Sequence, residues 1–541
     1  MTREWSLATV HDVVSAAIPE RDMIVWGDDR RTFGEIAERS RAVAGFLGSR
    51  HLGAFRDRGD LARWECGQDR VALLMHNRPE HVEAILGCWK ARVVPCNVNY
   101  HYTADEVADL LRRIGARGVI YDRGLGEKLT GIAAQLDVLI EVDDRSEVPS
   151  LAGASGYEDA VARGADIDLV TEVSPDDVHI ACTGGTTGHP KAVLWRQGDI
   201  FVAGMGGTDG LDEDALRTRA LAGAGTWFPT SPLMHVAAQW TTFLAANMGA
   251  TVVLHDDSRP FDVRTILEAA SRERVNMMTI VGDAYARPMI DELRRGHYDL
   301  SNLAVLGTGG APTSLEAKRA LMELVPNVTI RDGYGASEIG AMASGDTASH
   351  TTEGQRFALT SAARLLSADR TRFLDPGDDE VGWLVRCDHI PLGYLDDEAA
   401  TRSTFPIVDG VRVAVPGDRA RFAPDGQIML LGRDSLVVNT GGEKVFVEEV
   451  EDVLKRHVDV VDALVIGRPS ERFGQEVTAI VQLTASADPQ PKALREWCSG
   501  HLARFKAPRA FVFVAQIERH PSGKANYQWA RATSERATEA L

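Results

Sequence analysis

No run of about 18 apolar residues occurs in the chain, so no membrane-spanning helix is expected. The N-terminal stretch MTREWSLATVHDVVSAAI carries Arg3 and Glu4 and lacks a long apolar centre, so no secretory leader is expected either. No two cysteines form a CxxC pair. Cys66, Cys88, Cys96, Cys182, Cys387 and Cys498 are scattered, a spacing that fits neither a zinc site nor a disulfide framework. They read as reduced thiols of a cytoplasmic protein, each packed as a small apolar group. Positive charge is in deficit: 59 Lys and Arg stand against 78 Asp and Glu, a net charge of −19. A surface of that sign argues against nucleic acid or an anionic membrane as partner. A local pocket lined with backbone N–H groups can still hold an anion. Internal repeats and low-complexity tracts are also missing.

What is present is an ordinary globular mixture, 44% hydrophobic and 25% charged, over 541 residues. That length predicts about three or four cores. The first 180 residues alternate strand and helix signals. MIVW (23–26) reads as a strand, and Thr32-Phe33-Gly34-Glu35 as a capping box opening a helix that runs through Val43 toward Leu47. Arg70–Met75 and Arg92–Val98 read as strands around a helix with Pro79 in its first turn, a βαβ unit that implies parallel pairing. Residues 49–70 read as a charged surface insertion. The alternation resumes at 261–330, with helices at Ile266–Arg272 and Pro288–Arg295 and strands at Val275–Val281 and Leu303–Gly307. Residues 341–380 read as strands and loops. Near 433 the texture changes to a small α+β unit with helices at Glu448–His457 and Lys492–Leu502 and strands at Val477–Gln482 and Phe511–Val514. The expected division is 1–432 and 433–541.

Six motifs carry chemistry. Thr183-Gly184-Gly185-Thr186-Thr187-Gly188-His189-Pro190-Lys191 follows the apolar strand Val178–Cys182. Its glycines let backbone N–H groups approach an anion, and its threonines and lysine add donors and positive charge. This is a phosphate cradle by chemistry but not a Walker A loop, because Pro190 separates the loop from Lys191. Alone it reads equally as a glycine-rich turn between strands. Asp332-Gly333-Tyr334-Gly335-Ala336-Ser337-Glu338 sets a Tyr face between glycines, suited to stacking a base, and offers Glu338 as an oxygen ligand for Mg²⁺. Alone it reads as a strand-end turn with a solvated Glu. Gly309-Gly310-Ala311-Pro312 is a tight bend after a strand. Val415-Pro416-Gly417-Asp418, followed by Gly432-Arg433, places a carboxylate where it can accept two ribose hydroxyls, or where it is an ordinary turn Asp. Gly441-Gly442-Glu443-Lys444 leads into Val445–Leu454. Pro521-Ser522-Gly523-Lys524 is a loop whose lysine, in isolation, reads as a solvated charge.

In this order, across roughly residues 10–530, the six motifs resemble the adenylate-forming superfamily of acyl-CoA synthetases, luciferases and peptide-synthetase adenylation domains. NTGGEKVFVEEVE, HLARFKAPR and PSGKANYQWA are most similar to actinobacterial fatty-acid-type CoA ligases, including those for bulky polycyclic acids such as steroid side chains or diterpenoids. A diterpenoid-antibiotic pathway is one expectation and lipid metabolism another. The resemblance implies an α/β fold: a large N-terminal domain of stacked α/β subdomains with a small mobile α+β C-terminal domain. It implies ATP, Mg²⁺ and coenzyme A, and a carboxylic acid or its acyl-adenylate as partner. A homodimer is left open. By resemblance Lys524 and Glu338 are catalytic, with Glu338 and Thr187 toward the metal. Thr183, Gly184, Gly185, Thr186, Thr187, Gly188 and Lys191 would hold phosphates. Gly310, Ala311, Pro312, Tyr334, Gly335 and Ser337 would surround adenine, and Asp418 with Arg433 the ribose. Asp434 and Ser435 would be the hinge that brings Gly441, Gly442 and Glu443 to coenzyme A. His235, Ala237, Ala238, Gly282, Ala284 and Gly309 would line the acid pocket. His235 also reads simply as a polar residue at a helix start, and the small residues, with Gly206 and Gly207, suggest room for a bulky body.

Departures from the superfamily pattern concern ATP. Ala192 follows Lys191 where Gly is usual, which would restrict φ or crowd the phosphates. Gly184 replaces a hydroxyl residue, Ser435 stands at the hinge, and Ser337 replaces Thr. A competent two-step ligase is the first expectation. Alternatives are an enzyme that only thioesterifies an adenylate supplied by a partner, one that serves a carrier protein, and a silent binding module. A luciferase-like oxygenase is not excluded by the motifs.

Overall fold

The computed structural model describes residues 4–169, 171–183, 191–311, 313–346, 350–351, 354–433, 436–440, 443–470, 474–488, 490–520 and 523–539. Two large sheets build the N-terminal part. In the first, Asp22–Trp26, Thr251–Leu254, Thr226–Pro229, Met277–Ile280, Val305–Thr308 and Thr329–Ala336 lie side by side and parallel. Gly340–Asp346 then turns antiparallel, and the sheet continues through Gly354–Leu359, Ile428–Arg433 and Asp418–Phe422. In the second, Val138–Val142, Ala116–Asp122, Arg70–Leu74, Val94–Asn97 and Val178–Thr183 are parallel, and Lys191–Arg196 closes the row antiparallel.

The expected βαβ unit is there. Arg70–Leu74 and Val94–Asn97 pair in parallel register around the helix Pro79–Lys90, which has its proline in the first turn. Strands such as RVALL are covered on both faces, so they carry apolar residues without alternation. The capping box is also realised: Glu35 N donates to Thr32 Oγ1, and Thr32 N donates to Glu35 Oε2 at 2.7 Å, opening the helix Phe33–Ser49. That helix and Pro79–Lys90 lie between the sheets. Phe33, Ile36, Phe46, Val82 and Ile85 share one continuous core with Ile24 and Val252 of the first sheet and Val71 and Leu73 of the second.

The C-terminal part has its own core, formed by Val438, Val445, Val450, Leu454, Ala463, Val465, Val477, Ala479 and Leu494. Its sheet pairs Val460–Ser470 antiparallel with Gly474–Leu483, which is joined in parallel by Ala510–Val514. The helices Val447–Lys455, Pro491–His501 and Tyr527–Glu539 complete it. The architecture is therefore the expected large α/β part plus a small α+β part.

One helix starts earlier than its sequence suggests. Pro288 reads as a start signal, yet the helix runs Gly282–Leu293 with Pro288 inside it. Burial of Gly282, Ala286, Met289 and Ile290 outweighs the one ladder hydrogen bond that the proline cannot donate to the Ala284 carbonyl. Among the described residues no helix is long and apolar enough to cross a membrane.

Candidate active site

The ends of both sheets meet at one place. Val178–Thr183 and Lys191–Arg196 form a hairpin whose last pair is Thr183 opposite Lys191. Both ends of the phosphate-cradle motif are thus pinned by a ladder. Gly184, Gly185, Thr186, Thr187 and Gly188 lie outside the described residues, as do Pro312, Asp434, Ser435, Gly441 and Gly442. Ala192 sits in regular antiparallel register with Cys182, and its φ is not positive, so its methyl group carries no backbone strain.

Asn97 ties this hairpin to the acid side. Its Nδ2 donates to the carbonyls of Cys182 at 3.0 Å and Met234 at 2.7 Å, and its Oδ1 accepts from Cys182 N at 3.0 Å. His235 follows at once as the N-cap residue of the helix Val236–Asn247, with no capping bond from its side chain. Its buried Nε2 has no hydrogen-bond partner among the described residues. Burial first, and then the positive charge of Lys524, push the imidazole down to about 4, so the ring is neutral at ordinary pH. Ala237 is exposed on the same turn, whereas Ala238 packs into the main core.

On the first sheet, Gly309 and Gly310 follow the strand Val305–Thr308, and Gly333–Glu338 follows from its neighbour. The two chains approach closely: a Cβ at Gly309 would lie 3.2 Å from the Gly333 carbonyl oxygen. Gly310 is left-handed at φ +74, which favours glycine. Beneath them a buried ion pair locks the register. Lys318 Nζ donates to Asp332 Oδ2 at 2.7 Å, and Thr308 Oγ1 donates to Asp332 Oδ1 at 2.6 Å. Tyr334 faces Phe357 with ring centroids 6.3 Å apart. Asp418 is buried at the start of its strand, directly opposite Arg433 in the ladder. Glu443 opens the strand Glu443–Phe446.

Glu338 is brought to the hairpin by two residues that the sequence reading passed over. Trp195 Nε1 donates to the Ser337 carbonyl at 2.8 Å, and Tyr394 Oη donates to Glu338 Oε1 at 3.0 Å. Lys191 Nζ lies 4.7 Å from the centre of the Tyr394 ring. A Tyr after Gly in PLGYLDD was the only available hint.

The C-terminal loop completes the site. Gly523 is left-handed at φ +75, and a Cβ there would meet Ala284 Cβ at 3.3 Å and Val281 Cγ1 at 3.4 Å. The loop is held by His520 N donating to Gly523's neighbour, the Lys524 carbonyl, at 2.9 Å, and by Gly523 N donating to the His520 carbonyl at 2.8 Å. Lys524 follows at once as an exposed residue, and its positive charge reaches the His235 imidazole. Contacts thus link Lys191 to Glu338 through Tyr394, and Gly310, Ala284 and Gly523 through Val281, while the charge of Lys524 reaches His235.

Residues 12–385 match the AMP-binding enzyme family, and residues 449–524 match the AMP-binding enzyme C-terminal domain. The chain is 42% identical over 540 residues to the medium-chain acyl-CoA ligase Mig of Mycobacterium avium, covering 98% of each. It is 34% identical to the 3-oxocholest-4-en-26-oate–CoA ligase of Rhodococcus rhodochrous, over 96% of this chain and 95% of that one. Among solved structures, the anthranilate CoA ligase AuaEII in complex with anthranoyl-AMP superposes with a TM-score of 0.81 at 19% identity, over 99% of this chain and 98% of that one.

Proposed function

The chain belongs to the AMP-binding enzyme family, and from that premise we propose that it is an ATP-dependent acyl-CoA ligase for bulky apolar acids of the medium-chain or steroid type. The family relatives act on such acids by name. The observation in the structure that carries the reading is the seating of the Gly523–Lys524 loop on the Val281–Ala284 wall, beside the glycine cleft. A diterpenoid acid has no support from these relatives.

In the first half-reaction the acid's carboxylate oxygen attacks the α-phosphorus of ATP, and pyrophosphate leaves. The Lys524 ammonium would bridge the carboxylate and the α-phosphate as charge shifts between them. One such donor aimed at developing charge contributes roughly 10²–10³ in rate. Thr183 and Lys191, with Gly184, Gly185, Thr186, Thr187 and Gly188 between them, would hold the outer phosphates. Gly310, Ala311 and Pro312 with Tyr334, Gly335 and Ser337 would sandwich adenine, and Asp418 with Arg433 would take the ribose. His235, Ala237, Gly282, Ala284 and Gly309 would form the acid's wall. The donor set fits Mg²⁺ held largely through the nucleotide. Glu338 offers one carboxylate, and no cluster of three acidic, His or Cys groups exists among the described residues. Glu338 and Thr187 would hold the ion, whose charge would neutralise that of the phosphates.

In the second half-reaction the thiolate of coenzyme A attacks the acyl carbon, and AMP leaves. We assign the domain boundary to 432/433 and the hinge to Asp434 and Ser435, by which the 433–541 domain would withdraw Lys524 and bring Gly441, Gly442 and Glu443 to the thiol arm. Six free cysteines support a reducing, cytoplasmic setting. The regular backbone at Ala192 favours competence in both halves.

The test is direct. Purified protein with ATP, Mg²⁺ and coenzyme A is offered octanoic and 3-oxocholest-4-en-26-oic acids, and thioester is read by mass spectrometry. Thioester from at least one acid is expected, with ATP–pyrophosphate exchange alongside. Lys524→Ala should cut that exchange roughly 10²–10³-fold while sparing thioester formation from synthetic acyl-AMP. Absence of thioester from both free acid and preformed acyl-AMP would refute the assignment.

A further inference from the structure

Tyr394 belongs to none of the six motifs, yet it touches two of the groups assigned above. It is 4% exposed. Its hydroxyl donates to Glu338 Oε1 at 3.0 Å, across 56 residues of sequence, and its ring lies under the Lys191 ammonium at 4.7 Å. Its own placement is fixed from several sides. Gly393–Tyr394 pairs antiparallel with Lys191–Arg196, with Tyr394 opposite Val193. Tyr394 N donates to Thr401 Oγ1 at 2.9 Å, and the ring leans on Phe405 at a centroid distance of 5.7 Å. A Cβ at Gly393 would come within 2.5 Å of Thr401 Cγ2, so this short strand is closely packed against the helix behind it.

The chemistry follows from the two contacts. A carboxylate with one oxygen committed to a phenol hydroxyl presents its other oxygen in a fixed direction, whereas a free carboxylate rotates. An aromatic face holds an ammonium loosely enough to release it to a phosphate. The strand pair makes both contacts from one backbone, the same backbone that anchors the exit of the phosphate hairpin. The geometry points to Tyr394 as a positioning residue of the adenylation half-reaction, aiming Glu338 at the phosphate-bound cation and keeping Lys191 poised over the cleft. This rests on the reading of Glu338 and Lys191 given above.

The experiment compares wild type, Tyr394→Phe, Tyr394→Leu, Glu338→Gln and the double variant Tyr394→Phe/Glu338→Gln. Tyr394→Phe removes only the hydroxyl. It should slow ATP–pyrophosphate exchange by about 10- to 100-fold through kcat, with the KM of the acid held within about threefold. Thioester formation from synthetic acyl-AMP should stay within about twofold of wild type. Binding of Mn²⁺ to the complex with α,β-methylene-ATP, read by electron paramagnetic resonance without turnover, should weaken by about tenfold. In the Glu338→Gln background the same substitution should add little, because the two residues act as one unit. Tyr394→Leu should further raise the KM of ATP, through loss of the face under Lys191.

Exchange within about twofold of wild type in Tyr394→Phe, equal loss in both half-reactions, or full additivity with Glu338→Gln would each overturn the role. Should Tyr394→Phe not fold, 3-fluorotyrosine at position 394 keeps the shape and alters donor strength. Exchange and Mn²⁺ binding must then both shift, and constancy of both overturns the role. A wild-type protein that forms no acyl-adenylate defeats the reading of the whole site. Wild-type turnover beside an unaffected Tyr394→Phe defeats this inference alone.

Discussion

His179 allows a prediction with a worked magnitude. It lies in the strand that feeds the phosphate hairpin, is 1% exposed, and neither ring nitrogen has a hydrogen-bond partner among the described residues. Its ring meets Trp89 edge-on, with centroids 5.8 Å apart. Burial alone pushes its pKa from 6.5 down to about 4. The folded protein therefore holds this proton less tightly than the unfolded chain. Between those two values the unfolded state binds more protons, so stability is fully present above pH 6.5 and is lost as pH falls toward 4. The whole drop is worth about 3 kcal/mol, of which about 1 kcal/mol is already lost at pH 5.5. His179→Leu removes the titrating group. At pH 7.5 the variant should lie within about 1 kcal/mol of wild type, because two unpaired buried nitrogens leave with the ring. Urea unfolding followed by tryptophan fluorescence at pH 7.5 and 5.5 provides the assay. Wild type should lose about 1 kcal/mol more than the variant over that interval. His11 and His81, also buried and depressed, are present in both proteins and cancel in the difference. Equal losses in the two proteins would show that His179 is hydrated or paired, and the reasoning would fail.

Other perturbations probe the cleft. Lys318→Met strands the Asp332 carboxylate beneath the Gly309 and Gly333 turns and should cost about 3–5 kcal/mol in urea unfolding, most of it recovered when Asp332→Leu is added; a single variant within about 1 kcal/mol of wild type would remove the ion pair from the account. Gly523→Ala puts a methyl group on a left-handed residue 3.3 Å from Ala284, so pyrophosphate exchange should fall about tenfold while thioester formation from acyl-AMP holds. Equal loss in both assays would argue against the loop's seating. His235→Phe should keep kcat/KM for the acid within about threefold above pH 6, since the native imidazole is neutral there. A loss beyond about 100-fold would mean that a nitrogen contacts the carboxylate.

Much of the scaffold is legible in the chain because its signals are local. The Thr32–Glu35 capping box, the Pro79 helix start and the apolar strands around it depend on neighbours a few residues away, and all appear as expected. The hairpin that carries Thr183 and Lys191 follows from the apolar runs on either side of a glycine-rich turn. Pro288 misleads because tertiary burial overrides a local breaker. Ala192 looks like a backbone problem in sequence and is none in an extended strand. Asn97 carries no signal in the chain, and Tyr394 only that of a Tyr after a Gly. Their meaning lies in hydrogen bonds to residues 56, 85 and 137 positions away, which no periodicity encodes. Asp332 sits inside a recognisable motif, yet its partner Lys318 is an unremarked lysine on the preceding helix.

The C-terminal sheet closes its apolar interior without borrowing side chains from the larger body. Under the proposed rotation, contacts such as Gly523 on Ala284 would break while this interior stays closed. The proposed reorientation between half-reactions would then leave this interior dry, as loosening a latch leaves a door intact.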